Sequence, residues 1–158
     1  MPVRIIADSG SDFYTSDHPQ LTVLPLSIGF GDTVYRADVD LTRERFYELL
    51  VEGDEFPTTG QVNPYAFSRA IDAAQESGED VVVVTVSAKL SGTNQSALTA
   101  AAGARDATTV KVVDSRSVTV GEHILVERGL QLVDEGRGAG EIARELEGLA
   151  DRICLIGL

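Results

Sequence analysis

The residues best suited to chemistry are the hydroxyls of Ser87–Thr93, a short segment reading Ser-Ala-Lys-Leu-Ser-Gly-Thr. The preceding residues, 81–86, are almost all valine and predict a buried strand. Residues 95–102 are rich in alanine and leucine and predict a helix. The first N–H groups of a helix have no partner within it and carry the positive end of its dipole, so this turn can bind an anion. Alternatively, Ser91 or Thr93 caps the helix and occupies those N–H groups itself.

The same residue types follow two other predicted strands. Residues 3–7 lead into Asp8 and Ser9, and residues 109–113 lead into Asp114 and Ser115. The carboxyl ends of parallel strands lie along one edge of a sheet, where ligands bind. Ordinary turn chemistry, in which Asp and Ser end strands and cap helices, also explains the pattern. If the edge is a binding site, the hydroxyls expected along its rim are those of Ser9, Ser11, Ser87, Ser91, Thr93, Ser115 and Ser117.

The pattern favours binding over bond cleavage. A hydroxyl nucleophile needs a base beside it, and neither His18 nor His123 accompanies a serine in a recognisable motif. Uncharged hydroxyls and backbone N–H groups suit a bound carboxylate. Two alternatives stay open: a metal-dependent hydrolase or phosphotransferase using the strand-end residues Asp8, Asp12 or Asp114, and a receiver or assembly domain whose serines only cap helices.

Composition limits the class of protein. The chain has 158 residues, 43% of them hydrophobic, which suits one globular domain. No apolar run approaches the ~20 residues of a membrane span, so none is expected. The net charge of −12 argues against nucleic acid and anionic membranes as partners. The single cysteine, Cys154, predicts a cytoplasmic protein without an internal disulfide and lies in an apolar segment, where we expect a core position.

Predicted strands and helices alternate along the chain. This order predicts an α/β fold with a mostly parallel sheet and helices on both faces. Pro25 confines its strand to an edge or interrupts it, Pro64 suits the first turn of a helix, and residues 56–64 are predicted as a loop. The predicted strands are residues 3–7, 21–30, 33–36, 81–86, 109–113 and 152–158, and the predicted helices are residues 41–51, 64–77, 95–102, 120–135 and from about 139 onward.

These motifs, in this order and over nearly the whole chain, resemble the DegV family. Its members are fatty-acid-binding proteins that serve as acyl carriers for bacterial fatty acid kinase. The block Leu-Ser-Gly-Thr at 90–93 is the most specific part of the resemblance. The other matching motifs are Ala7-Asp8-Ser9 with Ser11-Asp12, Pro25-Leu26, Thr59-Gly60-Gln61, Gln95-Ser96-Ala97, Val113-Asp114-Ser115 and Gly121.

The resemblance implies a two-domain, non-enzymatic protein that holds one fatty acid, such as palmitate or stearate, without another cofactor or a metal. Hydroxyls and backbone amides would bind the carboxylate, an apolar tunnel would bury the tail, and the kinase catalytic subunit would be the partner. In the family's Thr-Ser-Gln-Pro loop, Gly60 here replaces the serine and Val62 the proline. The implied carboxylate-binding residues are Thr59, Ser91, Gly92 and Thr93, with Ser9, Ser11, Ser87 and Ser115 as possible rim contacts.

Family members continue into a second domain that closes the pocket, and we expect that domain to be absent or truncated here. Residues 1–151 are predicted to form the lipid-carboxylate-binding domain. Residues 152–158 would either begin the missing domain or form a final strand. A groove left partly open would expose apolar surface and favour self-association.

Overall fold

The chain folds as alternating strands and helices. The computed structural model describes residues 1–156, apart from the side chain of Ser16. Its strands are β1 (Val3–Asp8), β2 (Leu21–Leu24), β3 (Ser27–Phe30), β4 (Thr33–Arg36), β5 (Thr58–Gly60), β6 (Asp80–Thr85) and β7 (Val110–Asp114). Its α-helices are α1 (Arg43–Glu52), α2 (Pro64–Glu76), α3 (Thr93–Ala102), α4 (Val120–Asp134) and α5 (Ala139–Ala150).

A four-stranded parallel sheet in the order β2-β1-β6-β7 forms the centre. Alternate residues of each strand point to opposite faces. Val82 and Val84 therefore pack with α4 and α5, while Val81 and Val83 pack with α2 and α3. Helices on both faces explain why β6 is almost entirely valine, since both faces of the strand are buried. The predicted α/β architecture is confirmed.

A second, antiparallel sheet in the order β4-β3-β5 forms beside the first. Pro25 separates β2 from β3, as predicted, and β4 is the predicted hairpin partner. The prediction that residues 56–64 are a loop is wrong, because Thr58–Gly60 forms β5 and pairs with β3, with Thr59 opposite Ile28. A strand as short as β5 forms only because it pairs with the free edge of β3. The sequence of residues 58–60 alone does not reveal this pairing.

The end of the chain departs from prediction. Residues 153–156 form no strand, and Cys154 is exposed rather than in the core. An apolar sequence becomes a strand only when another strand pairs with it, and none of the described strands pairs with this segment. Residues 157–158 lie outside the described part. Within residues 1–156, no helix is both long and apolar enough to span a membrane.

Candidate ligand-binding groove

A groove of about 410 Å³ opens at the carboxyl end of β6, where the parallel sheet meets β5. We call it the β6 groove. Four separate stretches of the chain form it, and none of the side chains lining it is titratable at neutral pH. The lining residues are Leu26, Thr59, Gly60, Gln61, Val86, Leu90, Ser91, Gly92 and Val118.

Three of the four predicted carboxylate-binding residues, Thr59, Ser91 and Gly92, line this groove. Thr93 does not, because it is fully buried behind Ser91. The Thr93 hydroxyl lies 2.9 Å from the Ser91 hydroxyl and accepts a hydrogen bond from the Val62 N–H at 3.3 Å. Thr93 therefore holds Ser91 in position and ties the start of α3 to the loop after β5.

The start of α3 remains open to the groove. Its N-cap residue is Gly92, which has no side chain to cap the helix. Ser91 accepts a hydrogen bond from the Thr93 N–H at 3.2 Å, so the predicted capping occurs at one N–H group. The positive end of the helix dipole lies directly behind two groove-lining residues, Ser91 and Gly92.

Gln61 is a groove residue that the sequence indicated only as part of a motif. Its amide nitrogen donates to the Ser96 hydroxyl at 3.2 Å, which fixes the side chain across the start of α3. A Cβ at position 92 would meet the Gln61 side-chain amide, so a larger residue there would displace the glutamine from its present position. In the same way, the Ser27 hydroxyl fills the space of a Cβ at Gly60 and accounts for the missing serine there.

The other walls of the groove are apolar. Leu26, Val86, Leu90 and Val118 line them, and the Leu90 side chain is 62% exposed. The groove therefore combines hydroxyls and a helix start with four apolar side chains. This arrangement suits an amphiphile with an anionic head and an apolar body.

The predicted rim serines do not line the groove. Ser11, Ser87 and Ser115 are buried, and Ser9 contacts other pockets. The hydroxyls of these four serines bond to nearby backbone. Ser11 donates to the Asp8 carbonyl at 2.7 Å, and Ser115 donates to the Ser117 carbonyl at 3.1 Å. Ser87 accepts from the Lys89 N–H at 3.3 Å, and Ser9 accepts from the Leu26 N–H at 3.0 Å. The hydroxyl of Ser117, which was also expected along the rim, is buried and has no hydrogen-bond partner among the described residues.

Asp8 joins the ends of the two central strands. Its carboxylate accepts hydrogen bonds from the Val86 N–H at 2.8 Å and the Gly10 N–H at 2.9 Å. Burial raises the pKa of Asp8 to about 6, although these hydrogen bonds act in the opposite direction. The side chain is therefore occupied in fixing the turn after β1 and the strand end that carries Val86 into the groove.

Glu122, in the first turn of α4, is a fully buried acid that the sequence interpretation missed. Within residues 1–156, neither of its side-chain oxygens has a hydrogen-bond partner apart from the neighbouring Asp8 carboxyl. Burial, followed by the negative charge of Asp8, raises the pKa of Glu122 to about 10. Its spacing from the buried Leu125, Val126 and Gly129 on the same helix was the available signal, since these positions share one helix face.

The aspartates considered as metal ligands do not come together. The Asp114 carboxylate accepts hydrogen bonds from the Ala88 and Arg116 N–H groups, at 3.1 and 2.9 Å. Asp12 faces Arg43, with 3.8 Å between the charged atoms. Among residues 1–156, no three or more His, Cys, Asp or Glu side chains lie close enough to share a metal ion.

Comparison with known proteins identifies relatives along the whole chain. It is 34% identical over 158 residues to a DegV domain-containing protein of Caldanaerobacter subterraneus, covering 96% of this chain and 54% of the relative. It is also 34% identical to one of Deinococcus radiodurans over 152 residues, covering 93% and 52%. The chain thus spans about half the length of these relatives.

Solved structures give the same result. A DegV family protein from Thermus thermophilus, described for its fatty acid binding, superposes with a TM-score of 0.82 at 32% identity, covering 96% of this chain and 54% of that one. A stearic acid-binding protein from Eubacterium ventriosum gives 0.82 at 26% identity, with coverages of 92% and 52%. The Streptococcus pneumoniae Fatty Acid Kinase (Fak) B3 protein, loaded with linoleic acid, gives 0.83 at 26%, with coverages of 96% and 55%.

A family model described as "Uncharacterised protein, DegV family" matches residues 2–157. This match covers nearly the full chain and agrees with the parallel sheet, the Leu-Ser-Gly-Thr turn and the relatives above. The chain belongs to the DegV family.

Proposed function

We propose that this domain binds a long-chain fatty acid, with the carboxylate in the β6 groove beside Thr59, Ser91 and Gly92. The observation that carries the proposal is the presence, in one groove, of a hydroxyl-bearing helix start and four apolar side chains. Binding of fatty acids by the Thermus and Eubacterium relatives supports the same class of ligand.

The head group gains from donors that are already in place. A hydrogen bond to a charged group contributes about 1.5–3 kcal/mol. A helix N-terminus adds roughly 0.3–1 kcal/mol for an anion. These local contributions act against the repulsion of a protein with a net charge of −12. Thr93, buried behind Ser91, supports the turn rather than touching the ligand.

The tail gives most of the affinity, because each buried CH₂ is worth about 0.8 kcal/mol. Leu26, Val86, Leu90 and Val118 supply the first part of its apolar surface. We assign the remaining cover to a second domain, since the relatives are about twice as long as this chain.

We further propose that the loaded protein presents its fatty acid to a fatty acid kinase and performs no chemistry itself. The name of the pneumococcal structure, a Fatty Acid Kinase B3 protein, supports this role. The absence of any titratable side chain among the nine lining residues agrees with a carrier, because proton transfer to or from the ligand would need one.

The proposal is tested with delipidated protein and palmitate in isothermal titration calorimetry. We expect saturable binding of one palmitate, weakened in Ser91→Ala and unchanged in Thr58→Ala, which removes an exposed hydroxyl from the same strand as Thr59. Mass spectrometry of protein extracted under denaturing conditions should also release a C16–C18 fatty acid. A folded, delipidated protein that takes up no palmitate would contradict the proposal.

A further inference from the structure

We propose that Asp8 and Glu122 share one buried proton, and that this proton holds the wall of the β6 groove in place. Glu122 is then a positioning residue, which acts on the groove through Asp8. The effect on the wall of the β6 groove does not depend on the proposed function, whereas its consequence for fatty acid affinity rests on that function.

The two carboxyl groups meet at Gly10. A Cβ on Gly10 would lie 2.8 Å from an Asp8 oxygen and 3.1 Å from a Glu122 oxygen, so both carboxyl groups lie close to the same side of Gly10. Both residues are fully buried. Two ionised carboxylates at such a site repel each other and lack solvent, so one of them keeps its proton. Glu122 is that one, since Asp8 already accepts two N–H groups as an anion would.

The pair lies directly behind the groove. Asp8 holds the Val86 N–H, and Val86 lines the groove. The Leu26 side chain is 3.7 Å from the same point at Gly10 and lines the groove as well. The Gly10 carbonyl accepts the Thr119 N–H at 2.9 Å, which fixes the segment that carries Val118. A change at the pair therefore reaches three of the apolar lining residues.

Few other charges act on the pair. Asp12, just after β1, adds negative charge near Glu122 and lies 3.8 Å from Arg43. His123, the next residue on α4, has its Nδ1 2.9 Å from the Ser11 carbonyl oxygen. Helix α5 meets α4 through apolar residues and through the exposed Arg128–Glu145 ion pair. None of these groups supplies a cation to balance a second buried charge.

Loss of the proton as the pH rises leaves two like charges around Gly10. The pKa values of both acids are raised, so the folded protein keeps the proton at pH values where the unfolded chain has lost it. The stabilisation is therefore full at low pH and declines through the neutral and alkaline range. A bound carboxylate adds further negative charge near the pair and therefore raises the free-energy cost of losing the proton.

The direct test is amide hydrogen exchange by NMR from pH 6.5 to 9. In the native protein we expect the protection factors of the Val86 and Gly10 amides to fall as the pH rises, because opening of this strand end releases the buried proton. Glu122→Gln keeps the shape and hydrogen-bonding capacity but cannot ionise, so its protection factors should stay constant. Glu127→Gln, an exposed acid on the same helix, should behave like the native protein. Identical pH profiles in the native protein and Glu122→Gln would overturn the proposal.

Palmitate binding then separates this inference from the proposed function. Affinity should fall in the native protein as the pH approaches and passes the Glu122 pKa of about 10, by up to about tenfold per unit, and less steeply in Glu122→Gln. Ionisation of palmitate itself is common to both proteins and cancels in the comparison. Absence of palmitate binding with the exchange difference intact would refute the proposed function alone, and equal slopes in both proteins would refute the coupling. If Glu122→Gln does not fold, a pH-independent Val86 protection factor in the native protein still refutes the shared proton.

Discussion

Neighbouring strands end along one edge of the parallel sheet with the same residue types but use them differently. At the end of β6, Ser91 lies in an open groove beside a helix start whose N-cap residue, Gly92, has no side chain. At the ends of β1 and β7, Ser11 and Ser115 are buried and bonded to backbone carbonyls. Hydroxyl chemistry at a strand end therefore does not define a site by itself. The site forms where β5 stands opposite the turn and leaves space between them.

The closed and open strand ends also differ in charge. The closed strand ends hold two buried acids, Asp8 and Glu122, whereas none of the nine residues described around the groove has a titratable side chain. The protein thus keeps its acids behind the groove wall, where one proton limits their charge, and places neutral donors on the ligand side.

The largest effect expected is that of Asp8→Ala. It leaves the buried Val86 and Gly10 N–H groups without an acceptor, at about 1–3 kcal/mol each. We expect the free energy of unfolding to fall by about 3–5 kcal/mol in urea denaturation. Asp114→Ala is the matched variant, because Asp114 also accepts two N–H groups but at exposed residues, and it should cost about 1 kcal/mol. Equal losses would mean that burial of the N–H groups does not decide how much each aspartate stabilises the fold.

The next effect is the pH dependence of stability. Since folding raises the pKa of Asp8 to about 6 and that of Glu122 to about 10, the free energy of unfolding should fall as the pH rises from about 5 to 9. The slope contributed by Glu122 is at most about 1.4 kcal/mol per pH unit. Urea denaturation of Glu122→Gln should give a shallower profile. A profile as steep as that of the native protein would place the responsible group elsewhere.

A third prediction compares two serines directly. Ser91→Ala should weaken palmitate binding about tenfold, because it removes a donor to a charged group, and should change stability by no more than about 1 kcal/mol. Ser115→Ala should do the opposite: it breaks two buried hydrogen bonds, lowers stability by about 1–3 kcal/mol and leaves the affinity unchanged. Calorimetry measures the palmitate affinity of both variants, and urea denaturation measures their free energies of unfolding. Loss of affinity in Ser115→Ala would show that the closed end takes part in binding.

The smallest effect is expected at β5. Thr59→Val removes one exposed hydroxyl from the groove while keeping the β-branched shape, and should weaken palmitate binding only a few-fold, about 0.5–1 kcal/mol. Thr58, its neighbour on the strand, does not line the groove, so Thr58→Val should leave the affinity unchanged. Equal effects in the two variants would mean that β5 does not present its hydroxyl to the ligand.

Much of the fold follows from local sequence. The valines of β6, the interruption at Pro25 and the start of α2 at Pro64 are all features of short stretches, and each was predicted. The strand β5 was not, because three residues pair only when β3 supplies an edge. Residues 153–156 are the converse case. Their apolar sequence predicted a strand, but they pair with none of the described strands.

The site was predictable in part for the same reason. Ser91 and Gly92 belong to a strand-turn-helix unit whose geometry is local, and Thr59 came with the family's motif. Whether Ser11, Ser87 and Ser115 face a groove or their own backbone depends on packing that no local pattern encodes. Glu122 was overlooked because an acid in a first helical turn usually faces solvent, whereas here that position falls on the helix face that packs on the sheet.

The β6 groove is built from stretches of the chain that lie far apart in sequence, around residues 26, 60, 90 and 118. They meet only in the folded state, so a molecule bound there has no comparable place on the unfolded chain. At a hundred times its dissociation constant, such a ligand adds about 2.7 kcal/mol to the free energy of unfolding. Loaded protein should therefore melt at a higher temperature and resist proteases longer than empty protein, and cargo supply would set how long each molecule survives.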